Sequence, residues 1–78
     1  MTPTVLSTLG VGRKARVLDV GGDAQLQQRL LEFGILPGVE VRLVRVAPLG
    51  DPIEIEVLGY NLSLRKNEAA HVHIEALP

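Results

Sequence analysis

The sequence contains no cysteine and no tryptophan, and only two of its 78 residues, Phe33 and Tyr60, are aromatic. Without cysteine the chain can form neither a disulfide nor a thiolate metal site. With so few aromatic side chains, the core has to be built from valine, leucine and isoleucine. A binding surface for proline-rich peptides, which needs aromatic walls, is also disfavoured.

Excess charge and long apolar runs are absent as well. Eight basic and nine acidic side chains give a formal charge of −1, whereas nucleic-acid binders obtain much of their affinity by neutralising phosphates. No apolar stretch approaches the roughly 20 residues that span a bilayer. The first ten residues lack the basic start and apolar run of a signal peptide. We therefore expect a cytoplasmic protein without a nucleic-acid partner and without direct membrane insertion.

The residues needed for catalysis are also scarce. The two histidines, His71 and His73, would have to reach Ser7 or Ser63 to form a hydrolytic triad, and neither serine has the surroundings of a nucleophile elbow. The glycines do not form a phosphate-binding loop. The sequence therefore predicts no catalytic residues, no cofactor and no enzymatic activity.

One helix followed by a tight turn is predicted near the middle of the chain. Asp23 is a suitable N-cap, and residues 24–33 contain no proline, glycine or β-branched residue. Gly34 can adopt the left-handed conformation that ends a helix. Pro37 and Gly38 suit the two central positions of a type II turn. The predicted apolar stripe of the helix consists of Leu26, Leu30 and Phe33, broadened by Leu31.

Most of the remaining chain alternates between apolar and polar residues in the way that indicates short strands. In residues 39–46 the alternation changes phase at Val44, which predicts a bend or bulge, because a regular strand presents one apolar face. Single helical turns are expected within residues 4–12 and 65–70. We predict one domain over residues 1–78, mainly β: a small SH3-like barrel of about five strands with one short helix between strands 1 and 2. An OB-like barrel is the alternative. The predicted strands cover residues 15–20, 39–46, 53–57, 62–64 and 72–74.

Three sequence elements resemble those of a known family. Residues 29–38 read RLLEFGILPG, residues 47–53 read APLGDPI, and residues 64–69 read LRKNEA. They occur in the order, and with the approximate spacing, of the elements of the FeoA family, the small ferrous iron transport A proteins. The likeness extends over nearly the whole chain.

This resemblance implies both a fold and a function. The implied fold is an SH3-like barrel. The implied function is that of a cytosolic, non-catalytic accessory that binds and modulates FeoB, a membrane ferrous-iron transporter with a GTPase domain. The alternative is a stand-alone regulatory module related to the C-terminal domain of metal-dependent transcriptional repressors of the diphtheria-toxin-repressor type. The length of the chain favours the transport accessory, and weak self-association is a further expectation.

Five residues are predicted to contact the partner. Leu49 lies at a loop tip between Pro48 and Gly50, where burial is difficult. If the fold brings Leu36 beside Leu49, the two would form the apolar centre of a docking patch. The remaining candidates are polar residues at the rim of this patch or on the exposed helix face: Arg29, Glu32 and Asp51.

A separate hypothesis concerns metal binding near the C-terminus. His71, His73 and Glu75 alternate with apolar residues, so they share the outward face of a strand. The i, i+2 spacing places the two histidines roughly 6.5–7 Å apart at the backbone. An ordinary solvated strand explains the same pattern, and no element of the family matches it. We therefore assign no metal site.

Overall fold

A single antiparallel sheet dominates the computed structural model, which describes residues 4–78. Its strands are β1 (Thr4–Val5), β2 (Lys14–Val20), β3 (Glu40–Val46), β4 (Ile53–Val57), β5 (Tyr60–Leu64) and β6 (Val72–Ala76). The helices are α1 (Ala24–Glu32), α2 (Lys66–Ala69) and a 3₁₀ turn (Leu6–Thr8). The predicted domain, residues 1–78, begins outside the described residues, and its boundaries stay a prediction.

The strands are ordered β1-β6-β2-β3-β4-β5 in the sheet. The five predicted strands are present, and α1 lies between the first two of them, as predicted. The sixth strand, β1, was missed: it has two residues and pairs with β6 through Thr4 and Val5. Two residues are too few to show an alternating pattern.

Two bulges interrupt the strand pairings of the sheet. In β3 the pairing with β4 shifts between Leu43 and Arg45, around the phase change at Val44. In β2 the pairing with β6 shifts between Val17 and Asp19, and Leu18 between them is exposed. Each bulge bends its strand and increases its twist. The predicted irregularity in β3 is therefore confirmed, and it contributes to the coiling of the sheet.

Local hydrogen bonds fix both ends of α1. The Asp23 carboxylate accepts the amide proton of Leu26 at 2.8 Å, which confirms the predicted N-cap. At the other end the amides of Gly34 and Ile35 donate to the carbonyls of Leu31 and Leu30. This pair of bonds is the Schellman arrangement, and the φ of +91° at Gly34 is what it requires. Leu31 itself is exposed, so the expectation that it broadens the buried stripe was wrong.

The buried side chains form one aliphatic cluster inside the coiled sheet. Leu30 of α1 and Ile35 are fully buried in this cluster, so α1 packs on the core through Leu30. In residues 4–78 no helix combines the length and apolar character needed to cross a membrane. The buried strand residues are Ala15, Val17, Val41, Leu43, Ile53, Ile55, Val57, Leu64, Val72 and Ile74.

Candidate functional site

The loop between β3 and β4 presents one leucine to solvent. Leu49 is 97% exposed, more than any other large hydrophobic residue of the described part of the chain. The turn beneath it is closed by hydrogen bonds from the Gly50 amide to the Ala47 carbonyl at 2.7 Å and from the Ala47 amide to the Pro52 carbonyl at 3.0 Å. The leucine is therefore displayed on a hydrogen-bonded turn, where binding would require little ordering of the backbone.

Asp51 attaches this loop to α2. Its carboxylate accepts the amide proton of Lys66, the first residue of α2, at 3.0 Å. The Lys66 ammonium lies over Gly50, 3.7 Å from the position that a Cβ on this glycine would occupy. An exposed carboxylate and an exposed ammonium thus lie next to the Leu49 turn.

Arg29 of α1 also contacts α2. Its guanidinium pairs with Glu68 at 3.0 Å and lies 5.7 Å from the centre of the Phe33 ring. The other carboxylate oxygen of Glu68 accepts the Arg65 amide proton at 2.9 Å. Glu68 is 9% exposed, whereas the Arg29 side chain is 58% exposed, so the arginine compensates a buried charge while remaining accessible.

The structure divides the five predicted contact residues between two regions. Arg29, Leu49 and Asp51 surround α2, and together with Lys66 they are called the α2 surface below. Leu36 precedes β3 and Leu49 follows it. The patch joining the two leucines stays a prediction. Glu32 is exposed near the C-terminus of α1, and Arg29 pairs with Glu68 rather than with it.

Two residues that sequence reasoning did not select, Lys66 and Glu68, complete this arrangement. Glu68 is the third residue of α2, three positions after Arg65, and it caps the helix from there. An acidic residue at this spacing is a recognisable N-terminal helix signal. Its ion pair with Arg29 joins residues 39 positions apart and has no local signature.

A groove lies beside the Leu49 turn. It has a volume of about 440 Å³, and its lining includes Pro48, Pro52 and the ion pair between Arg45 and Glu54. A guanidinium nitrogen of Arg45 lies 2.6 Å from a carboxylate oxygen of Glu54. The groove therefore combines apolar ring surfaces with a paired charge, next to the exposed leucine.

The histidines of the metal hypothesis are engaged in other contacts. His73 contacts the carboxylate of Asp19 across the β2–β6 pairing. The His71 ring packs against Gly22, 3.4 Å from the position of a Cβ on that residue. Within the described residues, no three histidine, aspartate or glutamate side chains are grouped so that they could hold a metal ion.

Comparisons with known proteins identify relatives of this chain. A family model described as the FeoA domain matches residues 4–76. A fusion of Fe(2+) transport protein A and the Fe(2+) transporter FeoB from Porphyromonas gingivalis is 36% identical over 72 residues, which is 92% of this chain and 8% of that protein. The chain thus spans less than a tenth of this curated relative.

Solved structures of similar sequence share the fold. A FeoA-like protein from Clostridium acetobutylicum is 33% identical with a TM-score of 0.91, over 100% of this chain and 92% of that one. The FeoA of Stenotrophomonas maltophilia, a procaryotic SH3 domain protein solved with zinc, is 32% identical with a TM-score of 0.81, over 92% of this chain and 89% of that one. The SH3-like barrel predicted from the sequence is therefore confirmed.

A more distant likeness concerns transcriptional regulators. A manganese-dependent transcriptional repressor superposes with a TM-score of 0.89 at 15% identity, over 99% of this chain and 42% of that one. At this identity the likeness establishes the shared fold alone.

Proposed function

Because this chain belongs to the FeoA family, we propose that it is a cytoplasmic, non-catalytic accessory of ferrous iron transport. In this proposal it binds the cytoplasmic GTPase region of an FeoB-type transporter through the α2 surface and modulates the transporter by protein–protein contact. Family membership directs the proposal to iron transport. The choice of surface depends on the exposure of the residues around α2.

The observation that carries the proposal is the display of Leu49. A leucine that is 97% exposed contributes nothing to the core, and the turn that holds it is closed by two backbone hydrogen bonds. Fully burying such a side chain in a partner contributes about 1.5–3 kcal/mol. That free energy corresponds to about a tenfold to hundredfold gain in affinity.

The charged residues around Leu49 supply orientation. Asp51 and Lys66 offer opposite charges next to the Leu49 turn, and Arg29 offers a third charge beside α2. A partner with an apolar pocket and complementary charges at its rim would fit this pattern, since rim charges increase association rates and select the correct partner. Glu32 and Leu36 lie outside the α2 surface and are proposed to contact the partner only at the periphery.

The fused relative supports the choice of partner. In the Porphyromonas gingivalis protein, an iron transport protein A and FeoB are parts of one polypeptide. Covalent linkage raises the effective concentration of one module at the other, so even a weak contact between them would be occupied. A separate FeoA chain would have to obtain the same contact from its surface.

The proposal is tested by titrating the purified GTPase region of the cognate transporter with this chain in a calorimeter, with and without guanine nucleotide. The wild type is compared with Leu49→Asp and with a matched control, Val11→Asp. Val11 is a loop residue that is 62% exposed and lies outside the α2 surface. We expect Leu49→Asp to weaken binding at least tenfold and Val11→Asp to leave it unchanged.

Two results would contradict the proposal. One is the absence of binding by the wild type at high micromolar concentration in either nucleotide state, together with normal iron uptake in a deletion strain. The other is equal binding by the wild type and Leu49→Asp, which would show that the α2 surface does not contact the transporter. Altered operator occupancy of a metal-dependent repressor on addition of the chain would instead favour the regulatory alternative.

A further inference from the structure

The turn between β4 and β5 holds a leucine in a backbone conformation that leucine rarely adopts. Leu58 has φ of +52° and is the sole non-glycine residue of the described chain with positive φ. With Gly59 at +83° it forms a two-residue hairpin turn, in which asparagine or glycine is usual at both positions. The Leu58 side chain is 64% exposed, so the core does not explain the choice. Strain of this kind is concentrated at functional sites.

A second unfavourable feature lies close to this turn. Lys14 of β2 is directly opposite Arg42 of β3 in the strand pairing. Like charges at directly opposed positions destabilise a sheet, because their Cβ atoms are only about 4.5–5.5 Å apart.

Lys14, Arg42 and Leu58 line one groove. Its volume is about 320 Å³, at the lower end of the roughly 300–1,000 Å³ range of ligand pockets. Its acidic residues are already paired with arginines. A carboxylate oxygen of Glu56 lies 3.3 Å from a guanidinium nitrogen of Arg42, and one of Glu40 lies 3.7 Å from a guanidinium nitrogen of Arg16. Lys14 has no acidic group within 4.0 Å among residues 4–78. The groove therefore offers a cation without a counter-ion beside an exposed aliphatic side chain.

We propose that this groove binds an extended peptide segment of a partner protein that carries a carboxylate next to an aliphatic residue. The carboxylate lies between Lys14 and Arg42, where it supplies the counter-ion that Lys14 lacks and adds an acceptor beside the pair of Arg42 with Glu56. The aliphatic residue packs on Leu58, which the strained turn holds outward. Leu58 also packs over Gly34, since a Cβ on this glycine would lie 2.6 Å from the leucine Cδ1. The exposed leucine is thereby supported from below by the end of α1.

This peptide groove is separate from the α2 surface. Leu58 follows β4 and Leu49 precedes it, so the two leucines lie at opposite ends of that strand, about 13 Å of strand apart. The proposal does not depend on the identity of the transporter or on binding through Leu49. Either surface can fail in experiment without affecting the other.

The test uses the ¹⁵N-labelled chain and a synthetic probe peptide, acetyl-Leu-Asp-Val-Glu-Leu-amide. The control peptide replaces its two acidic residues by asparagine and glutamine. We expect the acidic peptide to shift the amide resonances of Lys14, Arg42 and Gly59, and the neutral peptide to bind at least tenfold more weakly. Lys14→Glu should abolish binding, whereas Lys14→Arg should retain it. Lys66→Glu, a charge reversal on the α2 surface, should leave it unchanged.

A variant of the strained leucine separates a binding role from a structural one. Leu58→Asn relieves the backbone strain, so we expect a higher urea midpoint of unfolding together with at least tenfold weaker binding of the acidic peptide. A lower midpoint with unchanged peptide binding would overturn the proposal. Equal binding of the two peptides, or an absence of amide shifts at millimolar peptide, would also overturn it. The same holds if Lys14→Glu binds the acidic peptide as tightly as the wild type does. If the Leu58 amide resonance shifts with the concentration of the chain in the absence of peptide, the groove binds a second copy of the chain. This result would also overturn the proposal.

Discussion

Gly34 is the residue at which the end of the helix and the β4–β5 turn depend on each other. Its φ of +91° completes the Schellman end of α1, and the absence of a side chain leaves room for Leu58. The first requirement is predictable from the sequence, because glycine commonly ends helices. The second is not, since it joins residues 24 positions apart.

A pair of glycine substitutions measures these two requirements separately. Gly34→Ala should lower the free energy of unfolding by about 2–4 kcal/mol, combining roughly 1–2 kcal/mol for left-handed backbone with the overpacking of Leu58. Gly12→Ala is the control, since Gly12 has φ of +82° but no atom within 4 Å of its missing Cβ. It should cost only about 1–2 kcal/mol.

Urea unfolding of both variants gives the comparison. If Gly34→Ala costs no more than Gly12→Ala, the contact with Leu58 has no energetic consequence. If neither variant is destabilised, the backbone argument is also wrong.

Leu49 should behave in the opposite way to Gly34. Because its side chain is almost fully exposed, Leu49→Asp should change the free energy of unfolding by no more than about 0.5 kcal/mol. Thermal unfolding followed by circular dichroism checks this expectation. A loss of stability comparable to that of Gly34→Ala would mean that the leucine has a structural role.

At the scale of elements, two groups outside the four residues of α2 attach this helix to the rest of the chain. Asp51 accepts the Lys66 amide proton, and Arg29 balances the charge of Glu68. A helix of this length is not stable by itself. Its single turn was predictable from residues 65–70, but its attachment to α1 was not, because the attachment depends on how the chain folds back.

Removing the buried acidic group should therefore weaken the structure. Glu68→Ala deletes the acceptor for the Arg65 amide and the partner of Arg29, and we expect a loss of about 1–3 kcal/mol in the free energy of unfolding. Glu75→Ala is the matched control, since Glu75 is an exposed glutamate of β6. It should change stability by less than about 0.5 kcal/mol. Equal losses in the two variants would contradict a structural role for the pair of Glu68 with Arg29.

The N-terminus of α1 gives a prediction of the same kind. Asp23→Ala removes the acceptor for the Leu26 amide and should cost about 1 kcal/mol, whereas Asp23→Asn retains a capping oxygen and should cost less. Denaturant titrations of the two variants decide the matter. If both lose the same stability, the charge of Asp23 rather than its hydrogen bond is responsible.

At the scale of the whole molecule, the bend of β3 was predictable, because the phase change at Val44 lies where the pairing with β4 changes register. The bulge in β2 between Val17 and Asp19 was not predicted. The candidate site was predictable only in part. Exposure of Leu49 follows from its position at a loop tip, whereas the contacts of Asp51 and Arg29 with α2 depend on how the chain folds back.

The central claim is that the α2 surface binds the GTPase region of an FeoB-type transporter. The most direct measurement is a map of amide chemical-shift changes in the ¹⁵N-labelled chain on addition of that region. The account predicts that the largest changes fall on Leu49, Asp51, Lys66 and the exposed side of α1 at Arg29. Binding with the changes confined to residues far from α2, or saturating additions with no change, would contradict it.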